Sequence, residues 1–276
     1  MKRSLRADIA SYLVLVVMSL FVLVPFVWTF VTSIKQDVQM FEIPPSLIPA
    51  PPTLDHYADI WEEGRFFEFL RNSVLVASVS TALSLLIGLP AAYGFARFRF
   101  RIGGALFAFI IAVRMFPSIV LVVPYFLMMR ELGLIDTTTA LIITSVPLTL
   151  TLTVWIMEGF FRELPGELEE AAAIDGLGRF GIFVRIALPL ALPAISVAAI
   201  FAFLVSWNEF MFALTLTRTG ASQTLPIGVA GYVTSFQTFW GKMSATGMLY
   251  VLPVLLFTLF AQKGLVKGLT AGSLKG

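Results

Sequence analysis

Leu164-Pro165-Gly166-Glu167-Leu168-Glu169-Glu170-Ala171-Ala172-Ala173-Ile174-Asp175-Gly176 reads as a short helix set between two long apolar runs. Pro165 stands where a first-turn proline is tolerated. Glu167, Glu169 and Glu170 suit the positive end of the helix dipole, and Gly176 supplies a left-handed stop. Leu164, Leu168, Ala171 and Ala172 fall on one face. Beyond the glycine, Phe180, Phe183, Val184 and Ala187 recur at helical spacing, Arg179 and Arg185 add positive charge, and Pro189 marks the return to apolar sequence. A face of alanines lets a helix approach another protein closely, and carboxylates at its start can pair with arginines there, so the stretch reads as a docking surface. A helix lying against the bilayer or against its own bundle is the other reading it allows.

The runs on either side decide what this stretch interrupts. Of 276 residues, 58% are apolar and 13% charged, and the mean hydropathy is +0.90. Soluble domains carry about twice that share of charge, so the chain cannot cover a water-soluble globule. A spanning helix needs about 20 mostly apolar residues to cross roughly 30 Å of hydrocarbon. Six runs qualify, at residues 9–31, 73–95, 105–129, 139–157, 188–212 and 248–265. The fold class is therefore an all-α membrane protein with six transmembrane helices, expected as one membrane domain over residues 1–276. The first run is too long for a signal core and ends in Trp28 and Phe30 without a small-residue cleavage site, so it is expected to stay as a mature helix.

With the N-terminus in the cytoplasm, Lys2, Arg3, Arg6, Arg97, Arg99, Arg101, Arg162, Arg179, Arg185, Lys263, Lys267 and Lys275 fall inside, 12 basic residues against 6 outside. That asymmetry obeys the positive-inside rule and puts both termini in the cytoplasm. The connections then comprise a Pro-rich external segment 36–72 with a short amphipathic helix within 55–71, the cytoplasmic loop 158–187, an external loop 213–247 rich in Gly, Thr and Ser, and a cytoplasmic tail 266–276. The basic residues are scattered, which argues against a nucleic-acid partner. No cysteine is present and His56 is the only histidine, which removes thiolate metal sites and leaves little for hydrolytic chemistry.

Glu170-Ala171-Ala172, three residues, Gly176, nine residues, then Ile186-Ala187-Leu188-Pro189 resembles the EAA motif of membrane subunits of ATP-binding-cassette importers. Other stretches are similar to the carbohydrate importers of the maltose-transporter type. They are residues 90–98 (Pro90-Ala91-Ala92-Tyr93-Gly94-Phe95-Ala96-Arg97-Phe98), Met115-Phe116-Pro117, Trp207-Asn208-Glu209-Phe210 and the C-terminal residues 268–276, the last like the tail of the smaller membrane subunit. Ile102-Gly103-Gly104 and Asp55-His56-Tyr57 depart from that family's usual pattern without touching the motif.

The resemblance implies a type I importer permease fold in which Glu170, Ala171, Ala172, Asp175, Gly176, Arg179, Ile186, Leu188 and Pro189 form or support a coupling helix in a groove of the ATPase. It also implies that Gly268, Thr270, Gly272 and Lys275 reach towards the ATPase dimer interface. The implied partners are a homologous second permease subunit, two copies of a cytosolic ATP-binding subunit and an extracytoplasmic sugar-binding protein, in a bacterial or archaeal cytoplasmic membrane. The chain has no phosphate-binding GxxxxGK[ST] loop, so it is expected to be no enzyme and to bind no cofactor or metal, with ATP and magnesium held by the partner ATPase. Relatives of this type handle oligosaccharides, polyols or glycerol phosphate.

Two ionisable residues fall inside apolar runs, Arg114 in the third and Glu209 in the fifth, and each costs about 2.5–3.5 kcal/mol at a helix centre if it faces lipid. With Met115, Trp207 and Asn208 they are candidates for the translocation path; interhelical packing or gating is the alternative. Pro25, Pro90, Pro117, Pro124, Pro147, Pro193 and Pro253 lie in or at the ends of the runs, where each bends a helix or frees a backbone carbonyl. A membrane-embedded enzyme would need an aspartate pair or a histidine within a span, and an ion-coupled transporter would be expected to show repeated halves; the sequence offers neither.

Overall fold

The computed structural model describes the backbone of residues 5–272, with the side chains of residue 9 and residues 11–259. In chain order the helices are α1 (Leu5–Ser33), α2 (Asp55–Glu62), α3 (Arg65–Arg97), α4 (Gly103–Val113), α5 (Ser118–Glu131), α6 (Thr138–Glu163) and α7 (Gly166–Ile174). They continue with α8 (Arg179–Ile182), α9 (Leu188–Trp207), α10 (Met211–Leu216), α11 (Leu225–Ala230) and α12 (Trp240–Gly272). Five stretches are long and apolar enough to cross a bilayer, and α4 with α5 passes the same test as a pair bent by 92°. Five of the six expected spans are thus matched, and the bent pair α4–α5 stands where the third is expected.

The sequence places several boundaries differently. α3 starts at Arg65, inside the expected external segment, and only its first part, α2, is a separate short helix there. α10, α11 and the start of α12 occupy the expected loop 213–247. The fifth span begins at Arg179 rather than at Leu188, and runs through Pro189 to Trp207. Residues Phe183–Ala187 make this continuity possible by widening to a π-turn, in which the Leu188 amide donates to the Phe183 carbonyl just ahead of the proline that lacks a donor.

The chain sorts into two compact units. The first comprises residues 1–66 and 229–252. Apolar side chains of α1 from Ile9 to Phe30 are 46–77% exposed, an outer surface made for lipid. His56 sits in the first turn of α2 and is buried, its Nε2 within 2.8 Å of the Lys35 carbonyl, and the Ser33 and Tyr57 hydroxyls pair at 2.8 Å. Lys242 reaches Asp59 at 3.0 Å and Glu63 at 2.8 Å. The histidine therefore pins a loop.

The second unit, residues 67–228 and 253–276, is built on α6 and α9. Ala191, Ala194, Ala198 and Ala202 form a buried stripe on α9 at spacings of three and four, which lets the two helices approach closely. On α6, Thr144, Thr149, Thr151 and Thr153 return their hydroxyls to carbonyls four residues back, so buried polar groups cost little. The Ser84 and Thr149 hydroxyls bond across to α3. A Cβ at Gly88 would stand 2.8 Å from Thr153 Cγ2, so that contact requires glycine.

At the opposite end of this unit from Arg97, residues 217–225 are held from two sides. Asn72 Nδ2 donates to the Gly220 and Gln223 carbonyls at 3.0 and 2.9 Å, and Ser73 Oγ accepts from the Leu225 amide at 2.8 Å. Asp136, in the left-handed region at φ 63°, accepts from the Arg218 and Thr219 amides at 2.8 and 3.0 Å and from the Thr219 and Ser222 hydroxyls. Desolvation pushes its carboxyl up, but these hydrogen bonds outweigh it and hold the group well below the usual carboxylate range. A depressed folded-state pKa stabilises the fold above about pH 4 and is lost as pH falls below it. Asp136→Asn is expected to lower the melting temperature of the detergent-solubilised protein at pH 7. The gap should narrow as the pH drops below about 4, and a gap that stays constant with pH would contradict the assignment.

Candidate functional site

The stretch from Pro165 to Leu177 folds as a helix with a defined stop. The Gly176 amide bonds the Ala173 carbonyl and the Leu177 amide the Ala172 carbonyl, both at 3.0 Å, with Gly176 at φ 88°. This pair of bonds around a left-handed residue is the Schellman closure, which only glycine adopts without strain.

Its first turn is clamped from below. Arg97, the last residue of α3, donates from Nε to Glu169 Oε1 at 2.9 Å and from Nη2 to the Leu164 carbonyl at 2.8 Å, while Tyr93 donates to Glu169 Oε2 at 3.0 Å. Arg97 and Glu169 side chains are each only 17% exposed, so solvent screens the pair little. The Tyr93 ring packs on Phe161 and Phe183 at 5.5 and 4.9 Å between centroids, inside a core that includes Met157, Ala187 and Ala191. One arginine therefore joins the end of α3, the end of α6 and the start of α7.

This clamp sorts the residues of the motif. Ala172 is buried and Glu169 half-buried, while Glu170, Ala171, Asp175, Gly176 and Arg179 are exposed. The face expected from Leu164, Leu168, Ala171 and Ala172 is split: Ala172 points inwards, and Leu168 joins Ile174, 87% exposed, on the outside. Arg179 lies over the Phe98 ring at 5.2 Å. Ile186 and Leu188 are half-buried at the π-turn and the start of α9, and Pro189 is exposed. Gly268, Thr270 and Gly272 fall on the end of α12, where only the backbone is described, and Lys275 lies outside the described residues.

The path candidates meet at two helix breaks. Between α4 and α5, Pro117 has no amide to continue the helix, and the Arg114, Met115 and Phe116 amides close tight turns onto Ile111, Ala112 and Val113. Between α9 and α10, Glu209 folds back so that its carboxylate accepts the Phe212 and Ala213 amides at 2.8 and 3.0 Å, capping α10. A cavity of about 490 Å³ lies between the breaks, lined by Arg114, Phe116 and Ser118, by Leu148 of α6, and by Val205 and residues 208–211. Arg114 Nη1 donates to the Leu148 carbonyl at 3.1 Å. Arg114, Asn208 and Glu209 thus share one cavity. Trp207 is buried instead against Phe203, which stacks in turn on Phe257, and Met115 is 81% exposed and off the lining. Among the described residues no group of three His, Cys, Asp or Glu side chains is placed to hold a metal.

The clamp was not foreseen: Glu167, Glu169 and Glu170 look alike in sequence, and only the arginine that ends α3 distinguishes Glu169. Glu169→Arg is expected to release α7 and expose the segment 164–176 to limited proteolysis, and Arg97→Glu with Glu169→Arg together to restore protection. Each charge-assisted bond contributes about 1.5–3 kcal/mol. Unchanged cleavage in the single variant would count against the clamp.

The family described as binding-protein-dependent transport system inner membrane component matches residues 84–270, which hold the clamp, α7 and the cavity. The chain is 37% identical over 254 residues to the sulfoquinovosyl glycerol transport system permease protein SmoH of Agrobacterium fabrum, covering 92% of this chain and 89% of that one. It is 34% identical over 279 residues to the trehalose/maltose transport system permease protein MalG of Thermococcus litoralis, covering 99% and 100%. Its fold superposes with a TM-score of 0.75 on a chain of a bacterial ABC transporter involved in the import of alginate, at 23% identity and covering 95% of this chain and 99% of that one. The family match over residues 84–270 and relatives 34–37% identical along nearly the whole chain show that the chain belongs to the family of binding-protein-dependent transport system inner membrane components.

Proposed function

We propose that this chain is the transmembrane subunit of an ATP-driven carbohydrate importer, forming half of a translocation pathway and receiving the ATPase stroke through α7. The observation that carries the reading is the division of α7 into a clamped face and a free one. Glu169 is held by Arg97 and Tyr93, whereas Glu170 and Ile174 project outwards from a helix whose length and stop are fixed. A rigid helix with an exposed carboxylate and an apolar knob suits a groove on another protein, and a push on it passes into α3 and α6.

On this reading α7 faces the cytoplasm, as the 12-to-6 distribution of basic residues supports, and both termini lie on that side. Two copies of an ATP-binding subunit hold ATP and magnesium, a second permease subunit completes the pathway, and an extracytoplasmic binding protein delivers the cargo. Gly268, Thr270, Gly272 and Lys275 then lie on the tail towards the ATPase interface. The substrate class is supported by the relatives, described as transporting sulfoquinovosyl glycerol and trehalose or maltose. The cavity of about 490 Å³ beside Arg114, Asn208 and Glu209 is this chain's share of the path, where guanidinium and amide groups meet sugar hydroxyls. Glu209 supports it chiefly by holding α10 in place.

Glu170→Lys and Gly176→Pro test the docking role, since proline cannot adopt φ 88°. Both chains should insert into the membrane, lose the co-purifying ATPase and transport sugar at least roughly tenfold more slowly. Normal transport by both would refute the docking assignment.

A further inference from the structure

A second cavity, of about 260 Å³, lies where the end of α3, the following turn and the start of α4 face the last turns of α6. One wall is aromatic: the Phe95 ring lies 5.7 Å from Phe100 and 5.5 Å from Phe107. The rim is charged. Arg99 forms no ion pair among the described residues, and Arg162 pairs only with Glu158 of its own helix while its side chain stays 69% exposed. Two guanidinium groups against one carboxylate leave a net positive charge over an apolar wall.

Its level in the membrane follows from the clamp. Arg97, two residues before Arg99, is bonded to Glu169 and to the Leu164 carbonyl, so the cavity lies on the side that carries α7. It sits at the end of a 33-residue helix, where about 20 residues suffice to cross the hydrocarbon, and so falls at the depth of the lipid headgroups. From the same turn, Ile102, Leu106 and Phe109 form an exposed stripe at helical spacing along α4, 65%, 41% and 66% exposed, leading into the apolar layer.

We propose that this cavity binds the headgroup phosphate of an anionic phospholipid whose acyl chains lie in the apolar layer beside α4. The guanidinium fork matches phosphate oxygens, and two such groups at the headgroup level select a negatively charged lipid. A freely soluble phosphate would leave the aromatic wall and the apolar layer beside α4 unused, so the lipid is the occupant. Glu158 competes with the phosphate for Arg162, and its removal strengthens binding.

Full-length protein with its accompanying subunits, reconstituted in nanodiscs containing phosphatidylglycerol and phosphatidylcholine, allows a direct count of retained lipid by native mass spectrometry. Retention of phosphatidylglycerol over phosphatidylcholine is expected, weakened about fivefold by Arg99→Gln and again by Arg162→Gln. Glu158→Gln should raise it, a change of opposite sign that misfolding cannot imitate. Equal retention by wild type and the double arginine variant overturns the proposal. So does displacement of the lipid by excess inorganic phosphate, which would make the cavity a free-anion site.

Discussion

Hydrocarbon offers a peptide group nothing to bond with, and the rest of this structure follows from that constraint. Long helices satisfy it by themselves. At two places where the second unit leaves α-helical geometry within an apolar run, a nearby group takes up what is released. The Glu209 carboxylate receives the amides that begin α10, the Asn208 side chain returns to the Leu204 carbonyl, and the π-turn before Pro189 moves the Leu188 amide onto Phe183. Irregular backbone in an apolar run is tolerated where it lines a cavity, as the breaks between α4 and α5 and between α9 and α10 do. The polar residues that composition marks as costly are thus the ones that make the breaks possible.

The same economy governs α7. A nine-residue helix is too short to persist alone in water, so its stability has to come from contacts outside itself. Arg97 supplies them at one end and the Gly176 closure at the other. Because Arg97 also takes the carbonyl that ends α6, α7 cannot shift without moving the ends of two spanning helices. A helix supported only by its own propensity would absorb an applied force by fraying.

Much of this was legible beforehand. Apolar length found the spans, because crossing a bilayer imposes a number of residues that other folds do not need. Pro165, the acidic first turn and Gly176 located α7, because helix ends leave specific groups to satisfy. Boundaries were less legible. Arg65, Arg71 and Arg179 fall outside the apolar runs, yet helices continue past the hydrocarbon into water, where charge carries no penalty, so α3 and the fifth span start earlier than apolarity suggests. Arg114 and Pro117 mark a weak point at residues 114–117, but neither residue tells how far the chain turns there, and hydropathy carries no information about direction. Trp207 stands beside Asn208 and Glu209 in one motif of the sequence. On a helix a step of one residue turns the side chain by about 100°, and it faces Phe203 instead.

Glu169 and Glu170 show what sequence alone leaves undecided. The two carboxylates are neighbours, equally suited to a helix start and equally able to meet an arginine. That same turn of about 100° puts one under the helix and the other on its outer face. Which of them faces inwards depends on where α3 ends, and α3 ends at Arg97 because the next residues, Phe98 to Phe100, turn the chain towards α4. A residue some seventy positions upstream therefore decides which glutamate is structural and which is free to meet a partner. One residue inserted in α3 before Arg97 would turn its guanidinium by about 100°, away from both Glu169 and the Leu164 carbonyl, and α7 would lose its fixed face. The outward face of α7 is thus specified jointly by the motif and by the register of a helix that lies outside it.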